Sequence, residues 1–260
     1  MAYAYVASLQ SEWLKKKGSL ASWMVVIGAF FTPTIIIIAR LVYYERLPGL
    51  YASDGFWMLL WKNAWESMAI FLLPLGVILA TSLIAQLEYK NNTWKQLHTT
   101  PLSLTIIFLS KLTVIAVMMM QFLILFNVGI WLAGVVPQLI IPGVPWPGAI
   151  PYDYFLREDL FYFIDCLPII ALQYLLSLHY RNFLVSIGCG FIFWIGALGT
   201  LSWKYGFLLP YTYCMFNYLK AGVETKAAVP PVNIHGMALG YFLIFTVAGY
   251  YLYITKKEKG

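Results

Sequence analysis

From Ile106 to Ala133 the chain carries one charge, Lys111, over a run longer than the roughly 20 apolar residues that a helix needs to cross a bilayer. A second run, Phe71 to Leu87, has none. A soluble domain offers no place to bury two such stretches. Composition agrees: 61% of residues are hydrophobic and 11% charged, against about 25% charged in soluble domains. The chain therefore reads as an all-α integral membrane protein. At 260 residues it holds about six spans and no soluble domain of any size.

The hydropathy pattern places those spans at about 20–44, 61–87, 106–135, 160–178, 183–201 and 236–254. Pro33 predicts a kink in the first span, and Pro74 with Gly76 one in the second. Lys62 and Glu66, four apart at the start of the second, are placed to pair. Arg40, near the end of the first, is placed to snorkel. Residues 45–61 read as a short outer segment. Ahead of the spans, residues 2–17 form an amphipathic segment. Ala2, Tyr5, Val6, Leu9 and Trp13 fall on one side of a helical wheel, and Ser8, Ser11, Glu12 and Lys15 on the other. Such a helix lies in a membrane interface. Residues 136–152 hold five prolines, which exclude a helix there and predict an outer loop, and Tyr152–Asp159 reads as an interfacial turn. Phe207–Leu219, broken by Pro210, is too short to span and reads as one or two short outer or re-entrant helices. The glycines of the fifth span, Gly188, Gly190, Gly196 and Gly199, predict close helix approach.

Charge sets the sidedness. With six spans both termini share a side, and taking that side as cytoplasmic puts ten of the 17 Lys and Arg inside, on the shorter loops. Trp and Tyr gather at the span ends, among them Trp57, Trp61, Trp131, Trp203 and Tyr253, as interfacial belts do. The basic residues form no patch, so the net charge of +6 does not point to nucleic acid. Cys166, Cys189 and Cys214 are scattered and odd in number. They indicate neither a disulfide framework nor a zinc site and read as apolar filler.

Between the second and third spans lies the longest polar break, Glu88 to Lys111. It carries Lys90, Asn91, Asn92, Lys95, Gln96 and His98. Trp94 and Leu97 are one turn apart and share a face in a helix. Pro101 and Ser103 suit the start of the following helix. Two apolar residues on a cationic loop suggest docking onto another protein; the plainer alternative is a solvated connection. The order Glu88, Thr93, Trp94, Leu97, Pro101, Lys111 resembles the cytoplasmic loop of permease subunits of ATP-binding-cassette transporters, in the type-2 exporter class. Asn92 stands where that family often has Gly. Among subfamilies the chain is most similar to the lantibiotic-immunity and bacitracin-resistance permeases.

The resemblance implies that residues 88–102 form a coupling helix seated in a separate ATPase chain, through Glu88, Lys90, Thr93, Trp94, Lys95, Leu97, Pro101 and Lys111. It implies an elbow helix at the N-terminus, two ATPase copies, and a second permease chain in a homodimer or heterodimer. It also implies multi-pass residence in a bacterial cytoplasmic membrane, surrounded by lipid. The chain contains no G-x-x-x-x-G-K-[ST] pattern, so ATP and Mg belong on the partner, and no cofactor or metal is expected on this chain. Substrate is expected to pass polar groups at membrane depth: Gln121, Asn127, Asp165 and Gln173. Asp165 sits near the outer end of its span, within reach of water. Two other classes remain open on the residues alone. A membrane-embedded enzyme needs catalytic groups clustered at one depth, and an ion-driven carrier favours paired midplane carboxylates and repeated halves.

Overall fold

A computed structural model describes residues 2–87, 102–180, 182–221 and 230–255. Among these residues the regular structure is all helical. Six helical stretches are long and apolar enough to cross a membrane, as the sequence predicts. In chain order the α-helices are α1 (Ala2–Lys16), α2 (Leu20–Val42), α3 (Leu47–Tyr51), α4 (Phe56–Ser67), α5 (Leu73–Ala85) and α6 (Leu104–Ile140). They continue with α7 (Tyr152–His179), α8 (Phe183–Thr200), α9 (Tyr213–Ala221) and α10 (Ile234–Thr255). A π-helical turn, Met68–Leu72, joins α4 to α5, so these two make one span.

The local starts follow ordinary capping chemistry. Ser19 caps α2 by accepting from the Ser22 N–H, and Gly18, at φ 75°, makes the left-handed turn out of α1. Ser103 caps α6 through the Ile106 N–H, and Asn182 caps α8 through that of Leu184. The bundle has two ends. One, here the loop end, holds the end of α5 and the start of α6, which flank residues 88–101, and also α1. At this end Gln86 donates to the Tyr180 carbonyl at 3.1 Å and Thr105 meets Tyr250 at 2.7 Å. The far end holds α3, α9, the end of α6 and the starts of α4, α7 and α10.

Several boundaries differ from the sequence reading, each for a stated reason. Pro137 does not stop α6, which runs on to Ile140, so the helix takes the first five residues of the expected loop; residues 141–151, with the other four prolines, are irregular as expected. Proline removes the hydrogen bond to the carbonyl four residues back, that of Ala133. Arg40 Nη1 donates to that oxygen at 2.8 Å, so the helix continues at no polar deficit. Arg40 thus does not snorkel outward: its guanidinium is held by Ala133, by Tyr51 Oη at 3.2 Å, and over the Phe56 ring. The Tyr51 hydroxyl in turn donates to the Gly134 carbonyl at 2.7 Å. Burial raises the pKa of this phenol, while the guanidinium opposes the shift.

The second span repeats the device. Pro74 frees the Ile70 carbonyl inside the π turn, and Trp194 Nε1 of α8 donates to it at 2.9 Å. The kink expected there is held by a neighbouring helix. Tyr152–Asp159 is not a turn but the first part of α7, and residues 45–61 are mostly helical pieces. Lys62 and Glu66 form no ion pair with each other. Trp57, Trp61 and Tyr253 are buried, whereas Trp131 and Trp203 are exposed as belt residues should be.

The core is an aromatic column at the far half. Trp65 of α4 stacks on Tyr162 of α7 at 3.7 Å and meets Phe126 of α6 edge-on at 5.1 Å. Phe207–Leu219 forms short helical turns followed by α9, as expected, and they pack inward: Tyr211, Tyr213, Cys214, Met215 and Phe216 are all buried. Cys214 brings its thiol to 3.5 Å from that of Cys166, with both cysteines free. Of the four glycines in α8, only Gly190 meets a close neighbour; Gly188, Gly196 and Gly199 face open space.

Candidate functional site

Glu88, Lys90, Thr93, Trp94, Lys95, Leu97 and Pro101 lie outside the described residues. The last residue of the expected coupling set, Lys111, is described and is buried in α6. Its Nζ lies 3.7 Å from Glu12 Oε2 of α1. That contact belongs to a polar seam. Ser8, Glu12 and Lys16 recur every fourth residue along α1, all three buried against α6. Ser8 meets Ser110 at 2.8 Å, Tyr5 meets Thr113 at 2.8 Å, and Lys16 Nζ donates to Gln121 Oε1 at 2.9 Å. Lys15 closes on the other Glu12 oxygen. Val6, Trp13 and Leu14 point outward and are exposed. The helix therefore turns Ser8, Glu12 and Lys16 into the bundle and Val6, Trp13 and Leu14 out, the arrangement that lipid favours, while Tyr5 and Leu9 of the expected apolar side lean inward and Ser11 and Lys15 of the polar side stay exposed.

The remaining polar residues expected at membrane depth find separate partners. Asp165 is fully buried, out of reach of water, and its Oδ1 lies 2.8 Å from His235 Nδ1 at the start of α10. The His235 ring stacks on Phe161 at 4.2 Å. Gln173, also fully buried, holds three spans together. Its Nε2 donates to Ser82 Oγ of α5 at 2.7 Å and to the Ser186 carbonyl of α8 at 2.9 Å. Ser177 meets Ser186 at 2.7 Å beside it. Asn127 of α6 donates from Nδ2 to Leu123 O at 2.9 Å and to Asp159 Oδ2 of α7 at 2.7 Å. Gln121 thus sits with α1, Asp165 with α10, Gln173 with α5 and α8, and Asn127 with Asp159.

Of these four, Asn127 lines a cavity. A groove of about 630 Å³ opens between α6 and α7, with Asn127 and Asp159 among its lining residues. Asp159 is the residue that sequence reasoning missed, because it fell in a segment read as a turn. Had α7 been started at Tyr152, Asp159 would have stood out as a carboxylate among Phe155, Leu156, Leu160 and Phe163, on one helical face. A second cavity, about 400 Å³, lies between α2, α5 and α6 and is almost wholly apolar. Among the described residues no three His, Cys, Asp or Glu side chains gather as a metal site needs.

The model of the ABC-2 family transporter proteins matches residues 8–197, from within α1 to near the end of α8. The chain belongs to this family. It is thus a multi-pass membrane component of an ABC transporter, a permease whose family implies an ATPase partner. No curated protein and no solved structure matches it. Ser8, Glu12, Lys16, Lys111, Asn127, Asp159 and Gln173 all fall inside the matched region; α9, α10 and His235 fall outside it.

Proposed function

We propose that this chain is the membrane permease of an ATP-driven exporter. It binds a cassette ATPase through residues 88–102 and moves an amphiphile, such as a peptide antibiotic, out of the membrane. The observation that carries this reading is the extent of the family match, which reaches from Ser8 in α1, past the 88–102 segment, to Ala197 in the fifth span. In this reading both termini are cytoplasmic, in a bacterial inner membrane. Two permease chains, alike or related, work with two ATPase copies that hold the ATP and Mg.

The polar seam supports the reading mechanically. α6 begins at Leu104, three residues beyond Pro101, so any displacement of the 88–102 segment is applied to the foot of α6. α1 is fastened to that foot through Ser110, Lys111, Thr113 and Gln121, so the two helices move as one piece. Trp94 and Leu97 serve as the anchor in the ATPase, and Glu88, Lys90 and Lys95 set its orientation.

The test is co-purification of the ATPase with Trp94→Ala and Lys90→Ala, together with transport-linked ATP hydrolysis. Losing the aromatic anchor costs about 2 kcal/mol or more, roughly thirtyfold in affinity, so Trp94→Ala loses the ATPase or leaves it uncoupled. Lys90→Ala is mild and depends on salt. Wild-type levels of both ATPase and hydrolysis in Trp94→Ala would make residues 88–102 a mere connection.

A further inference from the structure

We propose that the groove between α6 and α7 binds an amphiphilic organic cation, with Asp159 as its counter-ion. The inference deepens the exporter reading by naming the chemical class of a ligand, and it rests on that reading only for the claim that the ligand is cargo.

The Asp159 carboxylate is incompletely paired. Asp159 Oδ2 accepts from Asn127, but its Oδ1 is buried and has no hydrogen-bond partner. Among the described residues no Lys, Arg or His pairs with this carboxylate. Asn127 carries no charge, and its Nδ2 is shared with the Leu123 carbonyl. A carboxylate held this way in an apolar surround is costly unless it takes up a proton or a cation reaches it. Other buried acids in the bundle have a basic partner: Glu12 has Lys15 and Lys111, Glu158 has Arg157, and Asp165 has the imidazole of His235. Asp159 is the exception, and it is the one that lines an open groove.

The groove itself defines the rest of the ligand. Its volume, about 630 Å³, is in the range of small-molecule sites. Apart from Asn127 and Asp159 its walls are almost wholly apolar and aromatic. Ile124 and Leu156 stand at its lips, 66% and 68% exposed, beside Trp131 and Leu160. A ligand entering from lipid would lay an apolar body on these walls and bring one positive group to Asp159. A phospholipid fits less well, because its phosphate would come within a few bonds of the carboxylate. A second copy of this chain would have to present a cation at the same point.

The test is equilibrium binding of radiolabelled tetraphenylphosphonium to the purified full chain in phosphatidylcholine nanodiscs, with empty discs subtracted. Tetraphenylborate, the anion of the same shape, serves as the control. We expect saturable binding of the phosphonium and none of the borate. Asp159→Asn should weaken it by about tenfold or more, the scale of a lost buried charge pair. Asp159→Glu should retain it. Leu156→Trp fills the groove from an exposed position that the core does not need, so it should abolish binding even if Asp159→Asn proves unable to fold. Unchanged affinity in both Asp159→Asn and Leu156→Trp would overturn the site. So would equal binding of the borate, displacement of the probe by phosphatidylethanolamine, or loss of a dimer in Leu156→Trp. Binding requires neither ATPase nor transport. Its failure would leave the permease reading standing, and failure of ATPase co-purification would leave this site standing.

Discussion

Two polar clusters lie between the spans, and each contains a side-chain oxygen without a hydrogen-bond partner. At Gln173 the orphan is Oε1, at Asp159 it is Oδ1. The surroundings differ. Gln173 is fully buried, and its orphan oxygen rests against Gly190, where a Cβ would overlap it. Its amide nitrogen and the hydroxyls of Ser82, Ser177 and Ser186 are hydrogen-bonded to one another across α5, α7 and α8. Asp159 has one partner, a formal charge, and an open groove. A polar residue at membrane depth is therefore not a site by virtue of being polar. The Gln173 cluster is glue, of the kind that holds helices where lipid supplies no hydrophobic force between them. What marks Asp159 is an unpaired carboxylate oxygen on a residue that lines an open groove.

The comparison breaks most visibly at Gly190. Any side chain there meets Gln173 Oε1 and lies 2.8 Å from Ile78 Cγ2, and both belong to neighbouring spans. Gly190→Val should cost about 3 kcal/mol, at the upper range for overpacking a filled core. Thermal unfolding in detergent should show it, with little folded protein recovered. At Gly188, two residues away and facing open space, the same change should be close to silent. Equal behaviour at the two positions would mean that the Gln173 cluster does not close the bundle.

The next largest effect belongs to a polar contact that closes the bundle through the backbone. Arg40→Met keeps most of the apolar stem but removes the donor to Ala133 O. The carbonyl freed by Pro137 is then left without it, at about 2 kcal/mol. Unfolding should show that loss, and α6 should fray beyond residue 136 in hydrogen exchange. Trp194→Phe, which strips the donor from Ile70 O, should behave alike but more mildly. If Arg40→Met is as stable as the parent, α6 passes Pro137 for some other reason.

These contacts also show what could be read from sequence and what could not. Each span is a local property, since its apolar run must be long enough on its own, and all six were legible. So was the amphipathic character of α1, from the spacing of Ser8 and Glu12. The end of α6 was not. The other four prolines do mark the irregular stretch after Ile140, but Pro137 argues locally for an earlier stop, and the answer lies with Arg40, 93 residues before the carbonyl it caps. Asp165 was legible as an ionisable residue in a span, but neither its full burial nor its partner His235, 70 residues on, was. Asn127 was singled out as a polar residue at depth. Asp159 was overlooked because Tyr152, Asp153, Tyr154 and Arg157 around it are the residues of an interfacial turn. Within a helix that continues into a span, the same residues put a carboxylate on an apolar face.

The smallest expected effect tests the comparison most closely, because it requires two variants to differ in opposite senses. Gln173→Leu removes the two N–H groups that Nε2 offers to Ser82 and Ser186 and leaves the serines to pair among themselves, as Ser177 and Ser186 already do. Interhelical hydrogen bonds in membranes average about 0.6 kcal/mol and reach about 1.7, so a loss near 1 kcal/mol is expected. Asp159→Asn changes no shape and keeps an oxygen for Asn127 to donate to, while removing a charge that no described residue neutralises. Its stability should stay within about 0.5 kcal/mol of the parent, or rise slightly, since a buried charge without a partner is itself destabilising. Binding should move the other way: Gln173→Leu should leave tetraphenylphosphonium affinity intact in the folded fraction, and Asp159→Asn should lose it. The two variants, unfolded and titrated in the same nanodiscs, decide the matter. If Asp159→Asn destabilises the bundle as much as Gln173→Leu does, the Asp159–Asn127 pair is glue as well, and the groove beside it has no functional carboxylate.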